Sequence, residues 1–302
     1  MSPLTPLVAE LKGNSLDDGP GIRSVVFLKG CPLDCDWCHN PETKRIGVEL
    51  GFDASACIGA RDCLAACPLG ALDPSLASFV DRDTCDTCGR CVEVCPSGAL
   101  RLVGRERPVE DVMAELARYE PFHRASGGGL TLSGGEATLH PQYCGSLLRE
   151  ARARGIHTLL ETCGHFVWDR VRTHMLPWLD EVYVDVKLMD PGLHRRHCGT
   201  DNRVILDNVA ALVAFSGAGG PTVLPRVPLV PGITATDENL TAIASFLRAL
   251  GVSRVSLLAY NPLWHDKAAT VGVVPAFAGE GWMSREDEER CRAHFDGFEL
   301  VD

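Results

Sequence analysis

The chain has no apolar stretch approaching the ~18 residues that a membrane-spanning helix requires, so no transmembrane span and no membrane partner are expected. The first ten residues, Met1 to Glu10, contain neither a basic stretch nor a long apolar core, which speaks against a secretory leader. Positive charge is scarce. With 29 Lys and Arg against 40 Asp and Glu, the formal charge is −11, and nucleic acid, whose binding needs clustered cations, is not expected as a partner. The 302 residues are 45% hydrophobic and 23% charged. That is an ordinary balance for a globular chain with one large or two modest domains.

Cysteine, by contrast, is abundant, with 14 in all. A chain without a leader is expected in the reducing cytoplasm, where so many thiols point to metal or redox chemistry rather than disulfides. Three of them fall in Cys31-Pro-Leu-Asp-Cys35-Asp-Trp-Cys38-His-Asn-Pro41, directly after the strand-like run Val25–Leu28. Thiolates suit iron–sulfur clusters or zinc. A four-iron cubane needs four ligands, and this stretch offers three, which leaves one iron open to a small molecule. The alternative is a Cys3His zinc site completed by His39.

The composition shifts near residue 50 and back near 105. This divides the chain into a core, residues 1–49 and 106–302, and a cysteine-dense insert, residues 50–105. The insert ends in Cys85-x2-Cys88-x2-Cys91-x3-Cys95-Pro96, the run of bacterial ferredoxins, in which the fourth cysteine serves the other cluster. The preceding half-repeat, Cys57-Ile-Gly-Ala60-Arg-Asp62-Cys63-x3-Cys67-Pro68, has Ala60 where a cysteine belongs. By the crossed rule Cys67, Cys85, Cys88 and Cys91 hold one complete cluster, while Cys57, Cys63 and Cys95 are left with an incomplete one. The latter is compatible with three irons, with four irons completed by Asp62 or water, or with none. The insert therefore carries one or two clusters.

Beyond the insert, strand and helix signals alternate. Strands are expected at Leu130–Ser133, His157–Glu161, Glu181–Lys187, Thr222–Val230 and Val255–Tyr260, after a first at Ser24–Lys29. Helices are expected near Pro108–Tyr119, Pro141–Arg154, Val167–His174, Asn202–Phe215, Glu238–Leu250 and Ser284–His294. The alternation predicts an α/β fold of parallel βαβ units, about six of them, too few for a closed eight-fold barrel. Function collects at the carboxyl ends of such strands. Cys31–Cys38, Gly134-Gly135-Glu136, Glu161-Thr-Cys-Gly164, Asp185-Val186-Lys187 and Tyr260-Asn261 all sit there. Each also has a bland reading: a tight turn, a surface ion pair, a polar core group. Cys144, Cys163, Cys198 and Cys291 lack partnered spacing and read as buried apolar thiols, and His194–His197 as a solvated loop or helix face.

Together, Asp18-Gly-Pro-Gly-Ile-Arg23, Gly30-Cys31 through Pro41, Ser133-Gly-Gly-Glu136 and Asp185-Val-Lys187 resemble the activating enzymes of glycyl radical enzymes, a branch of the radical SAM superfamily, over nearly the whole chain. The insert resembles that of the larger activators. The resemblance implies a partial (β/α)6 barrel with a ferredoxin-like insert. It implies a four-iron cluster on Cys31, Cys35 and Cys38, with S-adenosylmethionine (SAM) chelating the open iron. Reductive cleavage to a 5′-deoxyadenosyl radical would then take a hydrogen from a glycine Cα of a partner enzyme. Electrons would come from a flavodoxin or ferredoxin. By the same resemblance SAM is met by Trp37, Cys38, His39, Gly134, Gly135, Glu136, Glu161, Asp185, Val186, Lys187 and Asn261. The family often has Leu-Pro-Tyr-His where this chain has Leu258-Ala-Tyr-Asn261. The competing reading is a radical SAM enzyme acting directly on a small molecule or peptide.

Overall fold

The structure, a computed structural model, describes residues 5–277, 279 and 281–301. The first four residues of the N-terminal segment read above lie outside the described residues. Strand β1 (Leu7–Ser15) pairs antiparallel with β2 (Arg23–Leu28). Next, β3 (Glu49–Phe52) and β4 (Leu100–Val103) form a separate antiparallel pair that brackets the cysteine-dense segment and its two short helices, α1 (Asp62–Ala66) and α2 (Arg90–Glu93). Strand β5 (Arg105–Glu106) returns to edge β1.

The remainder alternates: α3 (Val109–Leu116), α4 (Glu120–Ser126), β6 (Gly129–Gly134), α5 (Pro141–Ala153), β7 (His157–Thr162), α6 (Trp168–His174) and β8 (Glu181–Asp185). It continues with α7 (Pro191–Cys198), α8 (Arg203–Gly217), β9 (Thr222–Leu229), α9 (Asp237–Ala249), β10 (Arg254–Ala259), α10 (Trp264–Thr270), α11 (Arg285–Ala293) and β11 (Glu299–Leu300). The main sheet runs β11-β10-β9-β8-β7-β6-β2-β1-β5. From β2 through β11 all pairings are parallel. The α/β architecture, with six expected strands side by side in a mostly parallel sheet, is as the alternation predicts.

Strand β2 is buried at all six positions, and parallel strands covered on both faces read as continuous apolar runs. Arg23 at its start is the exception. Fully buried, it donates to Thr131 Oγ1 (2.8 Å) and the Leu130 carbonyl (2.6 Å), and its Nη1 lies 3.0 Å from His157 Nδ1. It thereby ties β2, β6 and β7 together at their amino ends. Burial lowers it to about 10, still cationic at neutral pH.

Two expectations change. The strand expected to reach Lys187 ends at Asp185: the Val186 N–H still bonds the Arg226 carbonyl of β9 (2.8 Å), but the Lys187 carbonyl is taken by the Asn239 side chain (3.0 Å). The His194–His197 run is a helix end that faces partly inward. His194 is buried with Nδ1 2.6 Å from the Thr200 carbonyl, and His197 Nδ1 lies 2.9 Å from Asp36 Oδ2. The cysteine-dense segment has its own small apolar cluster, around Leu50, Leu72, Val80, Cys91 and Leu100. It is moored to the rest by a buried ion pair, Lys29 Nζ to Glu49 Oε2 at 2.7 Å. Arg82 adds a second mooring, donating to the Leu50 carbonyl (3.0 Å) and the Thr270 carbonyl (3.4 Å).

Candidate functional site

The Cys31–Cys38 loop leaves β2 and is gripped from two sides. The Gly30 and Cys31 N–H groups donate to Thr43 and Lys44 carbonyls, and those of Asp34 and Asp36 donate to Cys198 and His197 carbonyls at the end of α7. These bonds fix the three thiols at one end of a cavity of about 570 Å³. Burial, then the neighbouring Cys35 thiol, pushes Cys38 up to about 12. Cys31 is lowered chiefly by a hydrogen bond from Cys163, and Cys35 is raised by its hydrogen bond to Cys198 and by burial. Two of the cysteines read as inert from sequence therefore touch the loop thiols. Among the described residues, no three His, Cys, Asp or Glu side chains converge closely enough to share one metal ion. The thiols of Cys31, Cys35 and Cys38 all line the cavity.

Each of the six strands β2 and β6 to β10 delivers residues to this cavity at or just past its carboxyl end. Glu161 follows from β7, Asp185 and Lys187 from β8, and Arg226 from β9. These four form a continuous ionic chain. Arg226 donates to Glu161 Oε1 (2.5 Å) and Asp185 Oδ1 (3.1 Å), Lys187 donates to Asp185 Oδ2 (2.6 Å), and Ser133 donates to Glu161 Oε2 (2.7 Å). Burial opposes the charge on Lys187, but Asp185 outweighs it and holds the ammonium above its ordinary value. Burial raises Glu161 while Arg226 pulls against it, and Arg226 is itself raised by Glu161 and Asp185 against burial. Arg226 was not singled out from sequence. An arginine in the otherwise apolar strand Val223–Val230 was the available signal.

The glycine turn also does a job in the fold itself. Gly134 and Gly135 do line the cavity. Yet a Cβ on Gly134 (φ +114°) would sit 2.3 Å from the Leu28 backbone, and one on Gly135 would sit 2.2 Å from the Gly30 carbonyl oxygen. Their missing side chains let β6 close against the root of the cysteine loop. Glu136 and Val186 do not line the cavity. Glu136 is buried behind the turn, where its carboxylate accepts from Thr138 N, Thr162 Oγ1 and Cys163 N. Its work is to staple the β6 and β7 ends together. Val186 is core, 1% exposed.

Trp37, His39, Tyr260 and Asn261 complete the wall. The His39 ring stacks on Trp264 at 6.3 Å and meets Tyr260 edge-on at 6.2 Å. Burial, then Lys267, lowers it to about 4, so it is neutral at physiological pH. Asn261 Oδ1 accepts from the Leu263 N–H at 3.3 Å, just ahead of α10.

In the cysteine-dense segment, the thiols gather at two further cavities. Cys67, Cys85, Cys88 and Cys91 line one; Cys57, Cys63 and Cys95 line the other, with Ala60 and Asp62. Burial followed by Cys85 raises Cys91 to about 11. Burial followed by Cys95 raises Cys63. The groupings are those of the crossed pattern.

The radical SAM superfamily matches residues 25–247. The isethionate sulfite-lyase activating enzyme of Nitratidesulfovibrio vulgaris is 40% identical over 272 residues, spanning 87% of this chain and 86% of that protein. The (2S)-3-sulfopropanediol sulfolyase activating enzyme of Bilophila wadsworthia is 37% identical over 273 residues, with 89% of each chain covered. Among solved structures, a radical SAM methyltransferase from Sphaerobacter thermophilus shares the fold, with a TM-score of 0.53 at 15% identity, over 99% of this chain and 77% of that one. The chain belongs to the radical SAM superfamily and, within it, to the activating enzymes of glycyl radical enzymes.

Proposed function

We propose that Cys31, Cys35 and Cys38 hold the four-iron cluster of this activase, that the adjoining cavity takes SAM, and that residues 50–105 form a ferredoxin-like unit feeding electrons inward. The observation that carries this is the placement of three thiols and an ionic chain in one cavity. The thiols offer soft ligands for iron, and in the same cavity Lys187 is available to a carboxylate and Asp185 to hydroxyls. A reduced cluster with SAM supplies one electron and, from it, a carbon radical able to take a hydrogen atom from a glycine Cα. The chain's own residues do the rest. Gly134 and Gly135 offer bare backbone toward an ammonium group. Trp37, His39 and Tyr260 give the cavity an aromatic lining suited to adenine, and His39, being neutral, adds no charge there. Leu33, Leu229 and Leu257 keep water away from the thiols.

In the cysteine-dense segment, two thiol-lined cavities support one complete cluster on Cys67, Cys85, Cys88 and Cys91 and a second site on Cys57, Cys63 and Cys95. A flavodoxin or ferredoxin is the donor we assign. Because the relatives described above activate a sulfite-lyase and a sulfolyase, a glycyl radical enzyme of that kind is the first partner to test.

The experiment is anaerobic reconstitution with iron and sulfide, followed by dithionite reduction with SAM. The expected products are 5′-deoxyadenosine and, with the partner present, a glycyl EPR signal. Turnover of SAM on a small molecule or peptide, with no radical on any partner glycine, would favour direct action on such a substrate.

A further inference from the structure

The two cavities of the cysteine-dense segment differ in one ligand. The first has four thiols. The second has Cys57, Cys63 and Cys95, and Ala60 offers nothing for a fourth corner. What the second cavity has instead is Asp62. It opens α1, directly after Arg61, whose backbone is left-handed (φ 66°). It lines the same cavity as the three thiols, and among the described residues its carboxylate has no hydrogen bond or ion pair. The cap position of α1 is taken by Arg61, so Asp62, exposed on the first turn, is not engaged as the helix cap.

Resting on the reading of this segment as cluster-binding, we propose that the second cavity holds a cubane whose fourth iron is bound by the Asp62 carboxylate, so that the site converts between four-iron and three-iron forms. A carboxylate is a harder donor than a thiolate and holds a sulfide-bound iron less firmly. Conversion balances as follows. The dicationic four-iron core loses one electron, to ferricyanide, and one ferrous ion, and a monocationic three-iron core remains. In reverse, dithionite supplies one electron to the three-iron core, which then takes up a ferrous ion and restores the four-iron core. The three sulfur ligands stay in place throughout.

The Cys31–Cys38 site also has three thiols and would give the same signal. The test therefore uses the full-length chain with Cys31, Cys35 and Cys38 all changed to Ala. Ferricyanide is expected to raise the EPR signal of an oxidised three-iron core to about one spin per chain, and dithionite with ferrous ion is expected to abolish it. Ala60→Cys should suppress the signal under both conditions. Asp62→Asn, which still suits a helix start, should show the signal before any oxidant and keep it, on re-oxidation, after iron is added. If Asp62→Asn converts and reverts as its parent does, Asp62 is not the ligand and the proposal is overturned. If no variant shows a cluster signal and the parent carries no iron, the cluster-binding reading of the segment falls instead. Ala60→Cys behaving like the parent would equally overturn the proposal, since position 60 would then not face the open corner.

Discussion

Replacing Arg226 with Met tests whether the ionic chain at the strand ends holds the cavity together. Arg226 is 13% exposed and bridges Glu161, 9% exposed, to Asp185, 19% exposed. Without it Asp185 retains Lys187, but Glu161 keeps only the Ser133 hydroxyl. Breaking a buried pair and stranding one charge costs ~3–5 kcal/mol. The cavity alongside admits water to Glu161, which places the cost near 3 kcal/mol. At ~2 °C per kcal/mol for a chain of this size, the thermal midpoint should fall by about 6 °C at a fixed scan rate. Removing both charges in Arg226→Met/Glu161→Leu leaves no stranded carboxylate. Its midpoint should recover to within about 2 °C of the parent, a coupling of at least about 2 kcal/mol, to which any loss from Glu161→Leu alone adds. A midpoint for the double variant at or below the sum of the two single losses would refute the reasoning.

Cys35→Ala should abolish 5′-deoxyadenosine formation and lower iron by about four atoms per chain while the iron of the cysteine-dense segment stays; equal loss of all iron would contradict separate sites. Lys29→Met leaves Glu49 buried beside only the distant Arg45 (3.7 Å) and should cost about 3 kcal/mol, read as a lower midpoint and faster proteolysis within residues 50–103; Lys29→Met/Glu49→Leu should restore most of it. His123 is 2% exposed, and burial, then Arg23, lowers it. The unfolded chain therefore binds the extra proton first, and stability should fall as pH drops below about 6.5. His123→Gln should flatten that slope by up to about 1.4 kcal/mol per pH unit, measured by urea unfolding at several pH values.

The six-strand run was legible because strands buried on both faces read as unbroken apolar segments such as Val25–Leu28, and helices between them carry a clear period. Strand β1 was not, since Leu7–Ser15 is half exposed and becomes a strand only by pairing with β2. Helix α10 was missed for a related reason. Trp264–Thr270 is too short to be stable alone. The site's metal and cofactor motifs were legible as strings of cysteine and glycine. Arg226, Cys163 and Cys198 were not, because what matters about them is which thiols and carboxylates meet them across the sheet. Glu136 belongs to the motif in the string but to the supporting layer in space.

Helix α10 lies between the Cys31–Cys38 loop and the cysteine-dense segment. Its first residue, Trp264, stacks on His39; Lys267 reaches the Asn40 side-chain oxygen at 2.8 Å; and its last carbonyl, that of Thr270, is held by Arg82. Seven residues cannot keep a helical shape unaided, so its winding depends on being clamped from both flanks at once. It follows that loosening either flank slackens the short helix that joins them. Amide exchange along Trp264–Thr270 would thus report, on a single ribbon of backbone, whether both flanks are in place.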